Sequence, residues 1–358
     1  MNRLESKLLK INNDSQQTAK LAGLRYFTNS SRGFYRHRNG KNFIYKDEND
    51  IIIAEEEVLA RFKAMVLPPA WENVWISPYE NSHLQATGID SKGRKQYRYH
   101  ANWNKLRNQS KFYRLREFAK ALPKIRNKVE KDLNRKGLPY EKVIALVIKL
   151  IEVTNIRIGN EAYKKLYGSF GLTTLMDKHA KFKNGLISFE FKGKKGVKHQ
   201  ITLKDKRLMR LVKRCRDIPG QELFQYYDDQ GNHRSVGSGD INNYLKECTA
   251  MDFTAKDFRC WSGSLNALCS FLQQEKPLSA NDCKKKIISV LDSVSSQLGN
   301  TRTVCKKYYV HPTVIASFES GRIWKYQARK STSVGKLNAE EKILVKLLSN
   351  EKIAEVLG

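Results

Sequence analysis

Apolar residues return every three or four positions through residues 112–133 and again through 140–152, the spacing that lines one face of a helix. Upstream the pattern is shorter and mixed. Residues 33–36 and 42–45 alternate on either side of Asn39-Gly40, a turn-forming pair, and predict a hairpin. Residues 54–66 read as a helix ended by Pro68-Pro69. Residues 74–76 and 95–100 read as strands. The change of character near residues 103–110 predicts a domain boundary there. Beyond it, 179–203 holds alternating runs separated by Asn184-Gly185 and by Gly193-Lys194-Lys195-Gly196, which predicts a three-stranded antiparallel sheet. Helices are expected to resume near Leu208. Asp240 is placed to N-cap a segment over 241–246, and 337–357 reads as an amphipathic helix with Asn338 as cap and Glu341 at the capping-box position. The expected fold class is α+β: a small β-rich N-terminal domain over 1–105 and a mostly α-helical domain over 106–358 that carries the β insert.

Composition then narrows the partner. The chain has 66 Lys and Arg against 36 Asp and Glu, a net charge of +30 over 358 residues. A protein this self-repelling usually meets a polyanion, and nucleic acid is the first choice. Charge alone names no reaction, and by itself it favours a non-catalytic, basic DNA-binding protein, since +30 explains binding without chemistry. No run of 18 apolar residues is present, so no membrane-spanning helix is expected. The opening residues lack the apolar core of a secretory signal. The six cysteines, all between Cys215 and Cys305, form no Cys-x-x-Cys pair and have no histidine at ligand spacing. Reduced thiols in a reducing compartment are expected, with no metal site and no cofactor. The Gly193–Gly196 run is too short for a phosphate-binding loop and lacks its Lys-Ser/Thr ending, so ATP-driven chemistry has no support.

A polyanionic partner directs attention to groups that act on a phosphodiester. Arg157 lies where one helix gives out and another begins, Lys194 sits at the tip of a β-turn, and Arg259 falls near the start of a helix. Taken singly, each is more ordinary as a solvated charge among 66, and Tyr309 more ordinary as a packed aromatic. Their order along the chain is what singles them out. The stretches Pro68-Pro69-Ala70-Trp71, His83-Leu84-Gln85-Ala86-Thr87-Gly88 and Gly93-Arg94-Lys95-Gln96-Tyr97-Arg98-Tyr99-His100 come first. Arg157-Ile158-Gly159-Asn160-Glu161, Phe191-Lys192-Gly193-Lys194, Lys256-Asp257-Phe258-Arg259, Gly299-Asn300-Thr301 and Tyr309-Val310-His311-Pro312 follow. In sequence and order these segments resemble those of the type IB DNA topoisomerases, especially the compact poxvirus-like and bacterial branch.

The resemblance implies a catalytic set. Tyr309 would be the nucleophile that forms a 3′-phosphotyrosyl intermediate, with Arg157 and Arg259 clamping the transition-state oxygens. Lys194 would protonate the leaving 5′ oxygen, and its neighbour Lys195 is the rival for that task. Asn300 stands where many relatives carry histidine, nine residues before the tyrosine; an amide donates a hydrogen bond but cannot transfer a proton. Cys260 and Ser262 also depart from the pattern usual after the second arginine, while Trp261 and Gly263 match it. Tyr308 competes with Tyr309, which is preferred because it directly precedes Val310-His311-Pro312. Gln96, Tyr97 and Tyr99 are expected to touch duplex DNA from the N-terminal domain, and Lys256 from the second. Strand alternation puts Tyr97 and Tyr99 on one face of their strand. The expected partner is double-stranded DNA, held by a monomer that closes as a clamp. The expected location is DNA-associated and cytoplasmic: a nucleoid in a bacterium, a virion or viral factory in a virus. A tyrosine recombinase uses the same chemistry, but its usual His-x-x-Arg is Lys256-Asp257-Phe258-Arg259 here.

Overall fold

The computed structural model of the protein describes residues 14–40, 42–91, 93–326 and 337–349. The chain divides into two compact units, the first running to Arg114 and the second beginning at Leu115. The class is mixed α+β, as the hydrophobic pattern predicts.

In the first unit α1 (Ser15–Leu21) precedes strands β1 (Phe34–Asn39) and β2 (Asn42–Lys46). Helix α2 (Glu56–Ala64) and strands β3 (Glu72–Ile76), β4 (Leu84–Ile89) and β5 (Lys95–Tyr99) follow. The strands form one antiparallel sheet in the order β2-β1-β3-β4-β5, with the predicted hairpin paired Asn39 to Asn42. Phe62 of α2 packs with Val74, Ile76 and Ala86 to make its core. The Pro68-Pro69-Ala70-Trp71 stretch has a structural reason. Arg36, nearly buried, donates to the carbonyls of Leu67, Pro68 and Trp71 at 3.3, 2.9 and 2.9 Å. The Trp71 ring lies over Gly88, where a Cβ would fall 2.8 Å from Cε3. Strand β4 carries five buried residues in succession, Leu84 to Gly88, so it has none of the alternation that signals a strand, and sequence reading leaves it unassigned.

Helix α3 (Ala101–Leu133) carries the chain into the second unit. It starts eleven residues before the stretch that periodicity marks, because Trp103, Leu106 and Ser110 already face inward among polar neighbours. Pro123 is accommodated within it. Helices α4 (Tyr140–Thr154) and α5 (Glu161–Tyr167) come next, then the sheet of β6 (Ala180–Lys183), β7 (Leu186–Lys192) and β8 (Lys198–Leu203). This is the predicted antiparallel insert, in order β6-β7-β8; Ile187, Phe189 and Phe191 alternate into the core. Helix α6 (Lys206–Arg216), the short hairpin β9 (Gln225–Tyr227) and β10 (His233–Ser235), and α7 (Ser238–Thr249) follow. Asp240 does not N-cap α7. It sits in the first turn and accepts from the Gly237 N–H at 2.7 Å, so Gly237 is the cap and the helix begins three residues before 241. The unit closes with α8 (Ala255–Leu272), α9 (Ala280–Gln297), α10 (Arg302–Tyr308), α11 (Pro312–Glu319) and α12 (Ala339–Ser349).

The start of α12 is as the sequence predicts: Glu341 N–H donates to Asn338 Oδ1 at 2.7 Å and Asn338 N–H to Glu341 Oε2 at 2.9 Å. The rest of the predicted segment, 350–357, lies outside the described residues. Glu341 is 2% exposed and also takes two guanidinium bonds from Arg126, at 2.7 and 2.9 Å, and one from Trp261 Nε1 at 3.2 Å. Burial pushes its carboxyl up, but Arg126 and the other donors more than offset this and hold it below the usual glutamate value. The ion pair therefore contributes stability that is lost as pH falls through the lowered pKa. Glu341→Ala leaves Arg126 with Glu152 alone, at 2.6 Å, and strands the Trp261 N–H, so thermal or urea unfolding is expected to show a loss of about 1–3 kcal/mol. A loss below about 1 kcal/mol would mean that α12 is not held by this residue.

Candidate active site

The site is assembled from turns that main-chain bonds hold in place. Asn155 ends α4 in the left-handed conformation (φ 58°), and Asn160 caps α5 through its side chain, so residues 156–159 form a loop between helices. Leu172 N–H donates to Arg157 O at 2.8 Å and Thr173 N–H to Ile158 O at 2.7 Å. A Cβ at Gly171 would meet Arg157 O and Gly159 N at 2.5 Å, so only glycine lets the two segments come this close. Arg157 then reaches across to the turn after α9. Its Nη2 donates to Gly299 O at 3.2 Å and to Asn300 Oδ1.

Arg259 lies in the second turn of α8, whose start is fixed by Thr254 N–H donating to the Asp257 carboxylate at 2.8 Å. It is 4% exposed. One terminal nitrogen donates to Asn155 O and the other to Leu298 O at 2.7 Å, so the guanidinium ties the Arg157 loop to the Asn300 turn. Its Cζ stands 5.2 Å from the centre of the Tyr309 ring. Two donors in this cluster, Arg259 Nε and Asn300 Nδ2, are buried with no hydrogen-bond partner among the described residues. A buried donor without an acceptor is costly, and two of them, one on the Arg259 guanidinium and one on the Asn300 amide beside Arg157, are suited to an anion.

The half-buried Tyr309 follows α10. Ser264 Oγ, fully buried, donates to Tyr309 O at 3.2 Å and accepts from His311 N–H at 2.9 Å. Gly263 leaves room for this: a Cβ there would fall 3.0 Å from Tyr309 O. His311 in turn N-caps α11, accepting from Thr313 N–H at 3.2 Å with Pro312 at the first helical position. The Val310-His311-Pro312 motif is thus a capping device that fixes the backbone of Tyr309. Burial pushes the phenol pKa up, but Arg259 and then Arg157 more than offset it, leaving Tyr309 below the ordinary tyrosine value. Tyr308 is exposed at 37%, with Lys307 5.5 Å from the centre of its ring.

Lys194 sits in the turn between β7 and β8, closed by Gly193 N–H to Val197 O at 2.7 Å. The residue is exposed, yet the protein around its ammonium desolvates it in part. Arg157, Lys195 and Lys256 add repulsion, so its pKa falls below the usual lysine value despite an opposing pull from Tyr309. Lys195 occupies the left-handed position of the turn (φ 63°). Arg157, Lys194, Arg259, Asn300 and Tyr309 are therefore brought to one place, with Lys256 exposed nearby on α8. No group of three or more His, Cys, Asp or Glu side chains able to hold a metal occurs among the described residues. All six cysteines are free thiols.

Gln96, Tyr97 and Tyr99 belong to the first unit. Tyr97 is 49% exposed and stacks on Tyr99 with ring centres 6.0 Å apart, so both rings share a face of β5. Gln96 Nε2 donates to Asp90 Oδ2 at 2.8 Å, and the same carboxylate pairs with Arg94 at 2.6 Å. Residues that sequence reasoning missed are Asn155, Ser264 and His199. Only their neighbours bring them into play, and nothing in spacing or periodicity marks them.

The second unit is mostly helical with a three-stranded insert, and it gathers two arginines, a hairpin lysine, an asparagine and a tyrosine in one place. Comparison with known proteins gives the family. Residues 100–334 match the family described as eukaryotic DNA topoisomerase I, catalytic core, and residues 42–90 match the bacterial DNA topoisomerase IB N-terminal domain. The chain is 35% identical over 287 residues to DNA topoisomerase 1B of Acanthamoeba polyphaga mimivirus, covering 78% of this chain and 85% of the relative. It is 26% identical over 252 residues to DNA topoisomerase 1 of rabbit fibroma virus (strain Kasza), covering 68% and 75%. To DNA topoisomerase 1B of vaccinia virus (strain Copenhagen) it is 23% identical over 236 residues, covering 65% and 72%. The chain belongs to the type IB DNA topoisomerases, and is an isomerase acting on DNA.

Proposed function

We propose that Tyr309 is the nucleophile of this topoisomerase, with Arg157, Arg259 and Asn300 holding the scissile phosphate and Lys194 serving as the acid. The observation that carries this reading is the half-buried Tyr309 ring packed under Arg259, in a cluster that includes Arg157, Asn300 and Lys194. Tyr309 Oη forms a bond to phosphorus as the P–O5′ bond breaks. The phenol proton leaves to water, and Lys194 Nζ supplies one proton to O5′. Religation reverses each transfer. The bond energy stays in the 3′-phosphotyrosyl link, so no nucleotide is consumed, and the guanidiniums supply the charge that a metal supplies in many nucleases. The unpartnered Asn300 Nδ2 supports a phosphate-donor role for Asn300 that histidine fills in relatives.

The division proposed along the chain is a DNA-clamp domain over 1–105 and a catalytic domain over 106–358. The clamp is a monomer closing on duplex DNA, with Gln96, Tyr97, Tyr99 and Lys256 as contacts. Asp90 holds Gln96 in the free protein and would release it to a base edge. No helix among the described residues is long and apolar enough to cross a membrane. A DNA-bound location, in a nucleoid or a viral factory, fits the net charge of +30.

The test is plasmid relaxation in EDTA without nucleotide. The expected result is loss of both positive and negative supercoils, with protein linked to the 3′ end of a nicked strand after denaturant quench. Plasmid that is bound but unchanged in linking number would leave only a basic DNA-binding protein. Exchange of strands between duplexes would indicate a recombinase.

A further inference from the structure

His199 lies on β8 opposite Phe191 of β7, and the two rings stack with centres 5.0 Å apart and planes 18° from parallel. Its far edge enters a slot bounded by two glycines. A Cβ at Gly193 would lie 2.6 Å from His199 Cδ2, and one at Gly299 would lie 2.3 Å from Cε1. Gly193 has φ −91°, a conformation any residue adopts, so what it supplies is space for the ring. Each glycine directly precedes a residue of the site: Lys194 follows Gly193, and Asn300 follows Gly299. Gly299 is also tied to the cluster through its carbonyl, which accepts from Arg157 at 3.2 Å. The β7–β8 turn and the turn after α9 are far apart in sequence, and the imidazole is the wedge that fits both. Burial, then repulsion from Arg157 and Arg259, lowers its pKa below the ordinary histidine value.

We propose that His199 is a positioning residue that docks the Lys194 hairpin on the Gly299–Asn300 turn and so sets where the acid meets the leaving 5′ oxygen. This rests on the reading of Lys194 as the acid. Lys194 is exposed at the tip of the turn, so its own packing does not fix the ammonium. General acids act only at hydrogen-bond reach, and misplacement by about 1 Å can cost about 100-fold.

The test compares single-turnover cleavage of a duplex with an ordinary 5′-oxygen at the scissile bond and of one with sulfur there. A thiolate leaves without prior protonation, so sulfur relieves any defect in the acid step and no defect in nucleophile, clamp or fold. His199→Ala is expected to slow the oxygen substrate about 10- to 100-fold. On the sulfur substrate it is expected to come within a few-fold of wild type, with DNA affinity unchanged. Lys194→Ala should show a larger defect with the same relief, and adding His199→Ala to it should slow the oxygen substrate little further. Gly193→Ala gives a second, independent variant, since its new methyl group meets the His199 ring; it too should be slow on oxygen and relieved by sulfur. If His199→Ala and Gly193→Ala cleave oxygen at the wild-type rate, or if their defects persist on sulfur while that of Lys194→Ala is relieved, the docking role is wrong. If Lys194→Ala itself is not relieved by sulfur, the reading of Lys194 fails, and the proposal with it.

Discussion

Tyr309→Phe is expected to bind supercoiled plasmid as the wild type does and to leave its linking number unchanged at any enzyme concentration. The hydroxyl is all that is removed, and with it the hydrogen bond to Arg259. The ring remains under Arg259, and the Ser264 and His311 bonds that hold the backbone do not involve the side chain. Loss of a covalent nucleophile costs about 10⁶-fold in turnover in well-studied hydrolases, so relaxation should fall below detection. No covalent adduct should form on a suicide duplex. Tyr308→Phe is the matched control and should relax plasmid normally, since Tyr308 is exposed and stands by Lys307. Residual adduct in Tyr309→Phe, absent from Tyr308→Phe, would transfer the role to Tyr308.

That contrast shows which parts of the site were legible beforehand. The β insert, the capping box at Asn338 and Glu341, and the first hairpin are encoded locally, by alternation, by turn residues and by a four-residue cap. Arg157, Lys194, Arg259, Asn300 and Tyr309 stand out through motif order, which says nothing about distance. Strand β4 escaped because burial on both faces erases alternation, and the early start of α3 because inward residues are diluted by polar ones. Asp240 reads as a helix start because aspartate serves both as cap and as first-turn acid; only the Gly237 bond separates the two. Ser264 and His199 are invisible for a further reason. Each acts through residues about 45 or 100 positions away, Tyr309 for the serine and Gly299 for the histidine, and no local rule reaches that far.

Arg259→Lys is expected to lower the cleavage rate about 100- to 1,000-fold while keeping the charge. A guanidinium binds in a planar fork, and this one already has both terminal nitrogens committed, to Asn155 O and Leu298 O. Its Nε is unpartnered and so is left for a phosphate oxygen. An ammonium at this position has three donors on a single nitrogen, and it cannot span two carbonyls and the phosphate oxygens from the fixed plane that a guanidinium presents. Two further effects separate this from simple loss of contact. A carbonyl left unpaired in a buried site costs about 1–3 kcal/mol, so thermal unfolding should shift downward. Arg259 is also the largest influence holding the phenol down, ahead of Arg157, so its weakening should raise the Tyr309 pKa. A rate limb set by phenol ionisation should therefore move to higher pH in the variant, because a raised pKa needs more alkaline solution for the same phenolate fraction. Arg157→Lys is a useful partner: it touches Asn300 and Gly299 but ranks behind Arg259 at the phenol, so its limb should move less. An Arg259→Lys enzyme that cleaves within about fivefold of wild type, with its pH limb unmoved, would show that a point charge suffices and that the fork has no part in the transition state.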